Sequence, residues 1–76
     1  MMAEYTINAR GLQCPAPIMK LFNKMKEAQT DDLVTIEVTD VGFKKDVDAW
    51  CTKTKNELVS LREEDGVIIA QIRKAG

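Results

Sequence analysis

The sequence has 76 residues, which sets one small domain spanning 1–76; a chain of that size has room for one modest core and too little for a deep active-site cavity. With 45% hydrophobic and 30% charged residues and a net charge of −1, the composition is that of a globular protein and lacks the basic excess of a general nucleic-acid binder. There is no histidine, so a Cys–His nucleophile pair and a His-containing zinc site are both excluded.

Residues 5–9 alternate, with Tyr5, Ile7 and Ala9 on one face and Thr6 and Asn8 on the other, as in a half-buried strand. Arg10-Gly11-Leu12-Gln13 reads as a loop, followed by Cys14-Pro15-Ala16-Pro17. Ile18, Leu21, Phe22, Met25 and Ala28 then share one side of a helix that should end near Ala28 or Gln29. Residues 33–39 form a second strand in which Val34, Ile36 and Val38 alternate with Thr35 and Glu37. Asp40-Val41-Gly42 turns the chain. Phe43, Val47, Trp50 and Thr54 place a second helix over residues 43–54, with Asn56 as its expected left-handed terminator and Trp50 in the core. Residues 58–63 and 67–73 are two more strands, joined at Asp65-Gly66, a hairpin signal.

The predicted order is βαβαββ. The first βαβ unit implies a parallel pair and the terminal hairpin an antiparallel one, so the sheet is mixed. Alternating strands indicate one covered face. The expected fold is thus α/β (α+β): a two-layer sandwich, with two helices on one face of a four-stranded sheet.

Cys14 is the candidate catalytic residue. Proline is tolerated in the first turn of a helix, where N–H groups have no intrahelical partner, and Pro15 biases Cys14 toward an extended conformation. Cys14 should sit at or next to the N-cap, with Pro15 first in the helix or the helix starting one or two residues later because of Pro17. The helix N-terminus is a partial positive pole, with the N–H groups of Ala16 and Ile18 nearby, and cysteines so placed can ionise easily. Sites in parallel βαβ units lie beyond the carboxyl ends of the strands. The Cys14 loop and the Asp40 turn should therefore be neighbours. Lys44 and Lys45 would favour a thiolate and Asp40 would oppose it; the net sign stays open.

Arg10-Gly11-Leu12-Gln13-Cys14-Pro15-Ala16-Pro17-Ile18-Met19 resembles the signature of the TusA-like (SirA/YedF) sulfur carriers. Asp46-Val47-Asp48-Ala49-Trp50-Cys51 and Asn56-Glu57-Leu58 look like that family's second helix and third strand. The resemblance implies a fold similar to the C-terminal domain of translation initiation factor 3. It also implies a persulfide on Cys14, loaded by a cysteine desulfurase or other persulfide donor and passed to a downstream acceptor protein. Arg10, Gly11, Leu12, Pro15 and Pro17 are the supporting motif residues. Gln13 and Ala16 stand where some tRNA-thiolation members carry Arg and Glu, and Lys55 where relatives often have Gly.

Met19, with Leu12, Val41 and Phe43, is a candidate apolar docking rim, and Asp40, Lys44 and Lys45 are candidate charge contacts. Lys20, Lys24 and Lys26 read as a solvated face. Cys51, beside the second helix's apolar stripe, reads as buried. No cofactor and no metal are expected. No apolar run approaches the roughly 20 residues that span a membrane, and no signal-peptide stretch opens the chain, so a cytoplasmic location without membrane partners is expected. Two other readings remain: a binding module for RNA or a regulatory protein, and a thiol switch using Cys14 and Cys51.

Overall fold

The computed structural model describes residues 3–75. The elements are β1 (Glu4–Ala9), α1 (Ala16–Glu27), β2 (Leu33–Val38), α2 (Phe43–Thr54), β3 (Glu57–Glu64) and β4 (Val67–Arg73). The four strands lie in the order β1-β2-β4-β3. β1 pairs parallel with β2, and β4 is antiparallel to both β2 and β3. This is the expected βαβαββ mixed sheet, with β4 threaded between β2 and the hairpin partner.

Strand alternation builds the core. Ile7 and Ala9 of β1, Val34, Ile36 and Val38 of β2, and Ile68, Ala70 and Ile72 of β4 form one buried cluster with Leu21, Met25, Phe43, Val47 and Cys51 of the helices. The alternate residues, such as Thr6, Asn8, Thr35 and Glu37, stay outside that cluster. Two helix residues differ from expectation. α2 buries Phe43, Val47 and Cys51, a strict four-residue repeat, which turns Trp50 to the margin, where it is half-buried. α1 buries Pro17, Leu21 and Met25, which leaves Phe22 exposed with Lys26 Nζ 4.5 Å from its ring centroid. Lys24 likewise lies over the Tyr5 ring, so two of the three α1 lysines cover aromatic surface.

Local details follow from backbone chemistry. Asp65 and Gly66 both have positive φ, 50° and 79°, the hairpin geometry in which both central residues are left-handed. The pairing of β3 with β4 shifts between Leu58 and Ser60, so Leu61 and Glu63, past the irregularity, oppose the buried Ala70 and Ile68. Lys55, with φ 61°, is the left-handed cap of α2, in place of the expected Asn56. Asn56 instead uses its side chain: Nδ2 donates to Thr54 Oγ1 and Oδ1 accepts from the Ala75 N–H. The residue that follows the last helical turn must reverse the chain, and that residue is one position earlier than the Asn signal indicated.

At the end of the sheet where β1 and β2 start, Asp32 is 2% exposed. Its two oxygens accept from the N–H groups of Ala3 and Gln29, both at 2.8 Å. These bonds hold its carboxyl below the usual range, with a smaller contribution from the Tyr5 hydroxyl.

Candidate functional site

The opposite end of the sheet carries the Cys-Pro-x-Pro segment. β1 and β2 finish in register at Ala9 and Val38, so the loops that follow emerge side by side. Gly11 takes φ 84°, a conformation L-residues disfavour, and its N–H donates to Thr39 Oγ1 across the two loops at 2.9 Å. Leu12 turns inward and packs, half-buried, against the core. The N–H of Ala16 then donates to the Gln13 carbonyl at 3.0 Å, closing a turn over a cis Cys14–Pro15 peptide.

α1 starts one residue later than the simplest expectation. Pro15 is its N-cap, Ala16 its first residue, and Pro17 is fully buried beneath the first turn. Cys14 therefore lies next to the cap, half-buried at the positive end of α1. The first intrahelical bond runs from the Met19 N–H to the Pro15 carbonyl. Of the two donors expected near the sulfur, Ala16 is engaged by Gln13, which leaves Ile18.

Asp40 joins the two loops. Its Oδ2 accepts from the Cys14 N–H at 2.9 Å and its Oδ1 from the Gly42 N–H at 3.1 Å. The backbone of the nucleophile candidate is thereby fixed to the start of α2. These bonds, that from Cys14 first, hold the Asp40 carboxyl below its ordinary range. The predicted neighbourhood of Cys14 and Asp40 is thus a direct hydrogen bond.

The open question of the thiol's charge resolves upward. Desolvation, then hydrogen bonding and repulsion from Asp46, then Asp40, push the Cys14 thiol from 9.0 up to about 12. The largest of these is the removal of the sulfur from water, and the two carboxylates add to it. Sequence reasoning missed Asp46. It lies on the first turn of α2, directly after the Asp40 turn, and the topology that brings Asp40 to Cys14 brings Asp46 too. The other expected charges lie elsewhere. Lys44 pairs with Glu63 on β3, Lys45 is exposed, and neither acts on the thiol. Arg10 Nε bonds Asn8 Oδ1 at 3.1 Å and faces Glu37 Oε1 at 3.5 Å. It supports the β1 end of the loop.

A shallow groove of about 320 Å³ lies between α1 and α2, lined by Pro15, Ile18, Asp46, Ala49, Trp50 and Lys53. Of the expected apolar rim, Met19 is 54% and Val41 73% exposed, but Phe43 is fully buried in the core. Cys51 is 3% exposed in the same core, and burial pushes its thiol up to about 11. Both cysteines are free, and the enclosure of Cys51 weighs against the thiol-switch reading. Among the described residues, no three His, Cys, Asp or Glu side chains are grouped to hold a metal ion.

The model of the family described as "Sulfurtransferase TusA" matches residues 5–74. The chain belongs to this family. The sulfur carrier protein TusA of Pseudomonas aeruginosa is 35% identical over 68 residues, covering 90% of this chain and 86% of that protein. YrkF of Bacillus subtilis is 33% identical over 76 residues, all of this chain but 41% of YrkF. A relative in Aquifex aeolicus is 33% identical over 95% of this chain and 36% of its own length. The present TusA-family chain therefore spans less than half of these last two proteins. In fold it matches the crystal structure of a SirA-like protein from Desulfitobacterium hafniense, with a TM-score of 0.83, 23% identity, and coverage of 95% of this chain and 99% of that one. No helix among the described residues of this TusA-family chain is long and apolar enough to cross a membrane.

Proposed function

We propose that this sulfur-carrier family member holds its cargo as a persulfide on Cys14. The sulfur comes from a cysteine desulfurase or another persulfide donor, and a downstream acceptor protein receives it. The protein is a reactant turned over by its partners in the cytoplasm, and it has no use for a cofactor or metal.

The observation that carries this reading is the setting of Cys14. Cys14 stands half-buried beyond the carboxyl ends of the parallel pair, with its own N–H anchored to Asp40 and Pro17 locked into the core behind it. Cys51 has no such access. The surroundings are a shallow groove, which suits a protein surface better than an enclosed small substrate. Gly11, Leu12, Pro15 and Pro17 shape the loop, and Arg10 braces it from the sheet. Met19 and Val41 present apolar surface beside it for the partner.

The test is to incubate the protein with cysteine and a pyridoxal-phosphate-loaded cysteine desulfurase and weigh it intact. The expected result is a gain of one sulfur atom that reductant removes and Cys14→Ser abolishes. No gain with several donor enzymes would refute the reading.

A further inference from the structure

The sheet has two edges, and they are built differently. β3 carries the register shift between Leu58 and Ser60 and the charges of Glu57, Arg62, Glu63 and Glu64, features that keep an edge from pairing with another chain. β1 has no such guard. Its six residues keep continuous register with β2, without proline, bulge or basic residue, and its only charge is Glu4 at the start. Among the described residues no strand pairs with its other side. The Leu33 N–H donates to the Ala3 carbonyl, so by the alternation of a parallel ladder Ala3, Tyr5 and Ile7 bond toward β2. The backbone N–H and C=O groups of Glu4, Thr6 and Asn8 therefore face outward.

A groove of about 210 Å³ lies along this edge, lined by Ile7 and by Lys20, Asn23, Lys24 and Glu27 of α1. Lys24 Nζ stands 5.5 Å from the Tyr5 ring centroid, which sets the middle of this flank of α1 above Thr6. Its charge is ordered, with Lys20 at one end and Glu27 at the other. Glu27 faces Lys24 at 3.7 Å, and among the described residues no carboxylate pairs with Lys20.

We infer that β1 is the docking edge for a second copy of this chain, paired antiparallel about Thr6. A two-fold axis at Thr6 sets Thr6 opposite Thr6 and Glu4 opposite Asn8 of the second copy. Every outward backbone group is then used, and Tyr5 and Ile7 stay on the core face. The helices fit the same axis. α1 packs on both β1 and β2, so across a joined pair of β1 strands the two α1 helices stand two strand spacings apart. That is about 10 Å, a distance at which helices pack. They run antiparallel, so Lys20 meets Glu27 of the second copy, twice by symmetry. On the open face Glu4 comes beside Asn8 of the second copy, whose side chain holds Arg10. An acidic segment of another protein would meet Glu27 and Glu4, so this edge fits its own copy better than a ligand of one charge sign. The two Cys14 loops lie at opposite ends of the joined strands, outside the contact, and the inference is independent of the carrier reading.

Sedimentation velocity in reductant, from about 10 µM to about 1 mM, reads the contact. The wild type should move from the mass of one chain toward twice that mass, and Cys14→Ser should do the same. Lys20→Glu sets carboxylates against each other at both symmetric contacts and should weaken association about tenfold. Adding Glu27→Lys exchanges the charges and should restore association to within about threefold of the wild type. Thr6→Pro removes an outward N–H at an edge position and should abolish association. If that variant does not fold, the charge exchange decides. A wild type that stays monomeric across the range overturns the inference. So does a dimer that Lys20→Glu and Thr6→Pro leave intact, or one that Cys14→Ser abolishes. A double variant no stronger than Lys20→Glu overturns the pairing of the two α1 flanks.

Discussion

The two ends of the sheet use the same device for different ends. At one, Asp32 accepts from two backbone N–H groups, Ala3 and Gln29, and is buried. At the other, Asp40 accepts from two backbone N–H groups, Cys14 and Gly42, but stays partly open and faces a thiol. Both clamps tie a segment next to β1 to a loop next to β2. The closed clamp finishes a structural joint. The open one fixes the backbone of half-buried Cys14, the residue proposed to carry sulfur. What separates the two ends is therefore half-buried Cys14, whose thiol the carboxylates of Asp46 and Asp40 act on.

Removing the closed clamp should have the largest effect on stability. Asp32→Asn leaves buried N–H groups poorly paired, and thermal denaturation should show Tm lower by about 10 °C with Cys14 reactivity unchanged. Asp40→Asn should cost less, about 5 °C, because water reaches the freed groups, and should raise Cys14 reactivity toward a small disulfide. Equal losses at both sites, or a Cys14 unaffected by Asp40→Asn, would erase the distinction.

The pH dependence sharpens it. Asp32 and Asp40 both have carboxyls lowered on folding, so their stabilisation is present above the ordinary carboxylate pKa and is lost as pH falls through the lower, folded-state values. Urea midpoints measured down the acid range should fall, and Asp32→Asn should flatten more of that fall than Asp40→Asn. The cysteines act with the opposite sign. Folding raises the Cys51 thiol from 9.0 to about 11, so stability is intact below about pH 9 and declines as the medium becomes more alkaline. Cys51→Ala should reduce that alkaline decline, as read by the same urea midpoints.

The smallest effect lies outside both ends. Lys55 holds φ 61° at the α2 cap, and Lys55→Gly should relieve about 1 kcal/mol of backbone strain in urea unfolding.

Much of this architecture is legible in the residues. The alternation of Val34, Ile36 and Val38 and of Ile68, Ala70 and Ile72 marks buried strands. Asp65-Gly66 marks the hairpin, and the Cys-Pro-x-Pro segment marks the start of α1. Less legible are features set by pairing between distant segments. The insertion of β4 beside β2 and the register shift at Leu58 and Ser60 depend on which edges meet, which local periodicity does not encode. Trp50 and Phe22 read as core because apolar residues at helical spacing were counted without knowing how wide a stripe the sheet covers. The site divides in the same way. Cys14 and its link to Asp40 follow from the order of strands and turns. The upward push on the thiol does not, because it depends first on desolvation at half-buried Cys14 and then on Asp46 arriving from another element.

The measurement that bears most directly on a sulfur held at the open end is peptide-level mapping of the loaded protein. After sulfur uptake from a desulfurase, the free thiols and persulfides are alkylated and the digest is weighed. The extra sulfur should lie on the peptide containing Cys14, with the Cys51 peptide unmodified, and should leave Cys14 when an acceptor protein is added. Extra sulfur on Cys51, or on neither cysteine, would contradict the account.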